Sequence, residues 1–304
     1  MNRDREQTRG AVIASIAANV AIAAVKFVVA AITHSTAMLA EAVHSLANCF
    51  DGTLLLFGEH RARRAADAAH PFGYGRELYF WSFVVAVVFF SLGAGFTVYE
   101  GVRHVLHPEP LGDPTWSYVV LGAAALFDGA SFLVGFRAFR RHARGRGFWR
   151  TVRESKNPSL FSVVLEDSAD LLGLTLAFAG VYLSHALHRP ALDGVASIAI
   201  GGVLGALAVV LLIETHGLLI GEAARPELVA AVRALVASDD LVARAEPPLT
   251  VHTGPDEVVL VVRVALREEL RAGEAATRVG VLERRLRTEH PELRRIFVAI
   301  APDG

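Results

Sequence analysis

Six stretches of about 20 or more mostly apolar residues divide this chain, and a lipid bilayer is the solvent that suits such stretches. They run about 11–33, 37–58, 77–105, 115–139, 158–184 and 192–216. The first is too long for the core of a signal peptide, about 7–15 residues, and reads as a retained helix. The sixth carries Gly201, Gly202 and Gly205, small residues that allow close helix contact. With 53% hydrophobic and only 20% charged residues, the chain is too apolar for an ordinary soluble domain.

The connections between these stretches set an orientation. Arg3, Arg5 and Arg9 precede the first, and Arg61, Arg63 and Arg64 follow the second. Arg137, Arg140, Arg141, Arg144, Arg146, Arg150, Arg153 and Lys156 crowd the link between the fourth and fifth. On the opposite side, Thr33-His34-Ser35 has no Lys or Arg, and the other two links hold only Arg103 and Arg189. Basic loops stay cytoplasmic, so both termini are expected there. The basic link is a topology signal; contact with anionic lipid head groups is the sharper reading of it.

From about Leu218 the composition changes. Pro226 opens an amphipathic helix reaching Leu235 or Val236, and Thr250 to Thr253 reads as a strand. Gly254-Pro255-Asp256 is a turn, and Glu257 to Val264 a strand rich in branched residues. Ala275 to Thr288 is a second helix with Val279, Leu282 and Leu286 on one face, and Ile296 to Ile300 a last strand. The expectation is an α-helical membrane protein with a 1–217 six-helix transmembrane domain and a 218–304 cytoplasmic α+β domain of ferredoxin-like type.

Several functions are excluded or left without a motif. Thirty basic and 31 acidic side chains leave no basic domain, so no nucleic-acid partner is expected. Cys49 is the single cysteine, which rules out an intramolecular disulfide framework. There is no Walker-type phosphate loop and no His-Glu-x-x-His of a metalloprotease. A metal sensor lacks a recognisable signalling domain, and a carrier of organic cations would want more aromatics than the second and fifth stretches offer.

Two of the apolar stretches contain what a bilayer disfavours. His44 and Asn48 lie four residues apart in the second, and Glu166 and Asp170 four apart in the fifth. Residues at that spacing share a helix face, so each pair can point at one spot. Burying an acid at mid-membrane costs about 2.5–3.5 kcal/mol on insertion scales, which marks such residues as functional by default. Glu41 lies one turn before His44, and Asp51 one turn beyond Asn48. A lone histidine would be a structural, hydrogen-bonded residue; two matching pairs favour a site for a divalent metal. Asp167 points about 100° away from Glu166 and takes its place only if the helix is rotated. Glu166 is preferred because it keeps the four-residue step to Asp170.

These features resemble the cation diffusion facilitator family of metal exporters. Further landmarks are similar: Asp67-Ala-Ala-His70-Pro-Phe-Gly-Tyr-Gly75, then Tyr99-Glu-Gly101 and His107-Pro-Glu-Pro110. Glu154 to Ser159 and Leu165 to Asp167 are similar to the branch that includes a mitochondrial zinc transporter of animals. The resemblance implies a four-ligand site of His44, Asn48, Glu166 and Asp170 and homodimers with packed tails. At Asp67 and His70 it implies a second, weaker site, for which a solvated turn positioned by Pro71 and Gly73 is the other reading. Asp51 and Asp167 stay open, like these two, as metal or gating residues. It also implies efflux of a divalent metal by proton antiport, with no prosthetic group and no enzymatic reaction. Zn²⁺ is the first expectation for the cargo. Most zinc-carrying members have Asp where this chain has Asn48, and His where it has Glu166, which keeps Mn²⁺ or Fe²⁺ open, with Co²⁺ and Cd²⁺ as further cargo. In the tail, Val264 and Phe297 fall near where some members place histidines, so no binuclear tail site is expected. A bacterial inner membrane is the expected location.

Overall fold

The computed structural model describes residues 20–110, 112–143, 147–154, 158–267 and 271–301. Arg3, Arg5, Arg9, the first stretch up to Asn19, Arg144, Arg146 and Lys156 lie outside the described residues. The chain forms two compact units, one of Met1–Gly58 with Phe80–Thr215 and one of Glu59–Tyr79 with His216–Gly304.

The first unit is helical. Its long helices are α1 (Val20–Thr33), α2 (Thr36–Ala62), α3 (Glu77–Val88) continuing into α4 (Thr97–Leu106), α5 (Thr115–Ala143), α7 (Pro158–Ala186) and α8 (Ala191–Ile220), with the short α6 (Phe148–Glu154) between α5 and α7. Among the described residues, three runs are long and apolar enough to cross a membrane: Glu77–Leu106, Thr115–Arg141 and Ala191–Ile220, with mean hydropathy of 2.0, 1.9 and 2.6. The helices α2 and α7 are as long but fall outside that set. Glu41, His44, Asn48 and Asp51 on α2, and Glu166, Asp167 and Asp170 on α7, are among the polar positions within them.

The third apolar stretch is not the regular helix its run predicts. Between α3 and α4 the backbone takes eight residues of π-helix, Phe89–Phe96. Such widened turns are rare and gather at functional positions. Here the widening seats Phe89 in the core, its ring edge-on to the His44 imidazole with centroids 5.8 Å apart.

Packing in this unit uses small residues at close crossings. A Cβ on Gly101 of α4 would lie 2.8 Å from the Gly194 carbonyl of α8, and one on Gly194 would lie 2.8 Å from the Gly101 carbonyl. The two backbones therefore touch where any side chain would part them. Of the glycines marked in the sixth stretch, Gly201 packs against Val98 while Gly202 faces open space. Met38, Phe139, Phe161, Ile200, Leu204 and Leu211 belong to the core between the helices.

The start of α2 is secured by a distant acid. Asp193, fully buried at the beginning of α8, accepts hydrogen bonds from Ser35 Oγ (2.8 Å), Thr36 Oγ1 (2.9 Å) and the Ala37 amide (3.1 Å). The first amides of a helix have no partner within it, and a carboxylate is well suited to them.

The second unit is built on a four-stranded sheet. Its elements are α9 (Pro226–Ala237), β1 (Val242–Ala245), β2 (Leu249–Gly254), β3 (Glu257–Leu266), α10 (Ala272–Glu289) and β4 (Leu293–Ile300). The strand β3 pairs antiparallel with β1 and with β2, and parallel with β4. Because β1 meets the end of β3 at Val264–Leu266 and β2 meets its start at Glu257–Val261, the two occupy one lane. The expected strands and helices are present, with β1 added. Val-Ala-Arg-Ala has one branched residue and little strand signal of its own, so its pairing is decided by β3. Val258, Leu260, Val262 and Val264 point inward at every second position, and Val232, Leu235 and Val236 of α9 with Leu282 and Leu286 of α10 join them in one core.

Candidate metal centre

The polar residues of α2 form one stripe. Glu41, His44 and Asp51 are buried, with exposures of 0%, 1% and 5%, and Asn48 is half-buried. Steps of three and four residues keep them on one helix face. On α7, Glu166 and Asp170 are buried at 7% each.

The two helices meet through these groups. Asp170 Oδ1 contacts the His44 Nε2, and Asn48 Nδ2 donates to both Asp170 oxygens at 3.2 and 2.9 Å. One carboxylate of α7 thus binds the imidazole and the amide of α2. Glu166 lies beside Asp51 instead, outside the contact of His44 and Asn48 with Asp170. Among the described residues, no group of three or more His, Cys, Asp or Glu side chains is gathered as a metal cluster. Five buried polar atoms of these stripes have no hydrogen-bond partner among the described residues: Glu41 Oε1, His44 Nδ1, Asn48 Oδ1, Asp51 Oδ1 and Glu166 Oε1. Buried acceptors left unpaired cost free energy, and their grouping in one place needs a reason.

Asp167 points elsewhere. It faces α5, where Ser131 Oγ donates to it at 3.3 Å and where a Cβ on Gly135 would lie 3.5 Å away. Asp128, also on α5, lies close enough to His44 and Asp170 to act on both charges.

Two charged residues of this neighbourhood, Asp128 and Lys26, escaped the sequence reading. Lys26 of α1 is 2% exposed, and its Nζ donates to Glu41 Oε2 at 3.2 Å and to Ser45 Oγ at 2.8 Å. A signal existed, since it is the only charged residue between Ala11 and Thr33. An ionisable side chain inside a span normally has a named partner and a role. The other oxygen of Glu41 lies against α7 at Gly173, where a Cβ would meet it at 2.5 Å. Gly173 is one turn beyond Asp170, so the pair Lys26–Glu41 borders the site on its α1 side.

The Asp67–His70 segment belongs to the second unit and is organised by Asp67. Its Oδ1 accepts the amides of Ala69 (3.0 Å) and His70 (2.8 Å), and its Oδ2 accepts the Tyr74 hydroxyl at 2.7 Å. These three donors hold the carboxyl below the ordinary Asp range, Tyr74 most strongly, while Asp67 pushes the phenol of Tyr74 up. His70 Nδ1 is 3.7 Å from the same carboxylate, and its ring lies by that of Tyr74. The glycines of this landmark serve the backbone: Gly73 has φ of +87°, and Gly75 lies so close to the Thr253 carbonyl that no side chain fits. In the tail, His252 is buried in β2 with Nδ1 3.2 Å from the Gly254 carbonyl, and His290 ends α10.

Residues 12–220 match the model of the cation efflux transmembrane domain. Relatives of known name agree with it. A frog (Xenopus laevis) protein named proton-coupled zinc antiporter SLC30A9, mitochondrial, is 34% identical over 69% of this chain and 38% of its own length. Metal tolerance protein C4 of Arabidopsis thaliana is 32% identical over 78% of this chain and 52% of its own. Magnetosome protein MamM of Paramagnetospirillum magneticum is 26% identical over 59% of this chain and 52% of its own. The chain thus spans between about two fifths and half the length of these relatives. With the family's domain matched over well more than half of its 304 residues, and two polar stripes meeting between α2 and α7, the chain belongs to the cation efflux, or cation diffusion facilitator, family.

Proposed function

We propose that this chain is a membrane transporter that exports a divalent cation, Zn²⁺ first among them, in exchange for protons. The observation that carries the reading is the meeting of His44, Asn48 and Asp170 across α2 and α7, with five unpartnered buried atoms on the same two helices. A cation offers those atoms a partner. Glu166 completes the ligand set when its carboxylate leaves Asp51 and turns toward Asp170, one helical turn away. Metal ligands must be deprotonated to bind, so loading the ion releases protons, and protons arriving from the other side displace it. The contacts of His44 and Asn48 with Asp170 are then the ion-free arrangement, in which ligand binds ligand.

Six membrane spans fit this reading: α1, α2, the α3–α4 helix, α5, α7 and α8, with both termini on the cytoplasmic side. Residues 1–217 are the transport domain and 218–304 a tail of ferredoxin-like type, the part through which a homodimer packs. Alternating access arises as rocking of the helices opens the site first to one side and then to the other. The expected bacterial inner membrane gains no support from relatives named as mitochondrial, and the location kept is an integral membrane one.

The donor set favours a second cargo. Asn48 supplies a neutral amide and Glu166 a hard carboxylate, which suits Mn²⁺ or Fe²⁺ better than an imidazole-rich set does. Uptake of each metal into proteoliposomes under an imposed pH gradient tests both readings. Wild type should accumulate Zn²⁺ with proton movement in the opposite sense, while Asp170→Ala and His44→Ala should not. Full uptake by both variants would remove the site, and uptake independent of the pH gradient would remove the antiport.

A further inference from the structure

Five arginines converge on one cavity of the second unit. The cavity measures about 570 Å³, and Arg63, Arg64, Arg287, Arg294 and Arg295 line it against one acid, Glu257. Five positive charges less one negative leave a formal +4. Arg63 and Arg64 follow α2 directly, and a basic loop after a span needs no other explanation than topology. Arg287 at the end of α10 and Arg294 and Arg295 on β4 flank no span, so topology does not account for them.

The neighbours of these side chains orient them more than they neutralise them. The Arg64 guanidinium lies 4.6 Å from the centre of the Tyr74 ring, and that of Arg295 lies 5.4 Å from the centre of the Phe72 ring. Arg295 also donates to the Pro71 carbonyl. Stacking on an aromatic face fixes a guanidinium and leaves its charge intact. Arg294 approaches Glu257 only to 3.8 Å, and Arg63 pairs with Glu59 at its exposed end. Arg287 has no carboxylate within ion-pair distance among the described residues.

We propose that this cavity binds a phosphate-bearing anion, independently of which metal the chain transports. Planar guanidinium forks match phosphate oxygens two at a time, and a convergent like-charged set is relieved by an anion of several charges. Bound there, the phosphate ties the segment from Arg63 to Tyr74 to α10 and β4. The same chemistry is offered by an anionic lipid head group and by a free polyphosphate, and the experiment separates them.

The full-length chain is purified in uncharged maltoside micelles, and its affinity and thermal unfolding are followed with two probes. One is inorganic pyrophosphate; the other is phosphatidylglycerol in mixed micelles, against phosphatidylcholine as the neutral control. At least one anionic probe should raise the unfolding temperature and lose effect as NaCl is added. Response to pyrophosphate identifies a free phosphate ligand; response to phosphatidylglycerol alone identifies the lipid. Arg287→Gln should weaken binding about tenfold, the loss of one charge-assisted contact. Arg278→Gln, on α10 away from the cavity, should leave it unchanged. Arg295→Gln should weaken it too, but it also breaks the Pro71 contact, so Arg287→Gln decides if that variant does not fold. No response to either probe, or wild-type binding by Arg287→Gln, overturns the proposal.

Discussion

The imidazole of His44 and the carboxylate of Asp170, 126 residues apart in the chain, are in direct contact between α2 and α7. Neither helix has another reason to bring these two groups together inside an apolar unit. If they are ligands of one ion, Asp170→Asn should cost at least about 100-fold in metal affinity while leaving the helices paired, since an amide keeps the shape and a hydrogen bond to Asn48. Titration of purified protein with Zn²⁺, followed by thermal unfolding with and without the ion, measures both parts. The variant should unfold near the wild-type temperature without metal and gain no stability from it.

Asn48 and Glu166 are the two positions where the donor set is unusual, and they set the second prediction. Asn48→Asp adds charge, and Glu166→His adds a softer nitrogen donor. Together they should shift preference toward Zn²⁺ over Mn²⁺ by on the order of tenfold or more. Competition between the metals for purified protein, read by elemental analysis, gives the ratio. An unchanged ratio would mean that neither side chain reaches the ion.

The Lys26–Glu41 pair gives the third. Both partners are buried, so removing one leaves the other charge uncompensated. Lys26→Met should destabilise the chain by about 3–5 kcal/mol, and Lys26→Met with Glu41→Gln should recover most of that loss. Thermal unfolding in detergent compares the three proteins. Equal loss in single and double variants would mean that Lys26 acts through packing alone.

Asp67 gives the fourth, on pH. Its carboxyl titrates below the ordinary Asp value of about 3.9, because Tyr74 and two backbone amides donate to it. A depressed folded value contributes stability that is present above the unfolded value and lost as pH falls through the folded one. The turn should therefore keep its order from pH 8 to about pH 5 and loosen only below about pH 4. Hydrogen exchange at the Ala69 and His70 amides reports it, and Asp67→Ala should expose both amides at every pH.

Much of this architecture was legible in the residues. The ends of the long helices fall within a few residues of the apolar stretches, because a change from apolar to charged composition is a sharp boundary. The stripe on α2 and the pair on α7 follow from the period of a helix, which needs no tertiary knowledge. Partnership does require it. Glu166 has the right spacing to Asp170, yet in the structure it lies beside Asp51 and outside the contact of His44 and Asn48 with Asp170. Lys26 was passed over because one charge in a 23-residue apolar run does not alter the reading of the run as a helix. The π turns at Phe89–Phe96 and the strand β1 were likewise invisible, since both depend on what packs or pairs against them rather than on their own composition.

The grip of Asp193 on Ser35, Thr36 and Ala37 has a mechanical meaning. It makes the first turn of α2 a fulcrum fastened to α8. A helix swung from one end moves its residues in proportion to their distance from that end. His44 lies about 10 Å along the axis from Ala37, and Asp51 about 21 Å, at 1.5 Å per residue. Any swing of α2 would then displace Asp51 twice as far as His44, parting the Asp51–Glu166 contact before the imidazole lets go of Asp170.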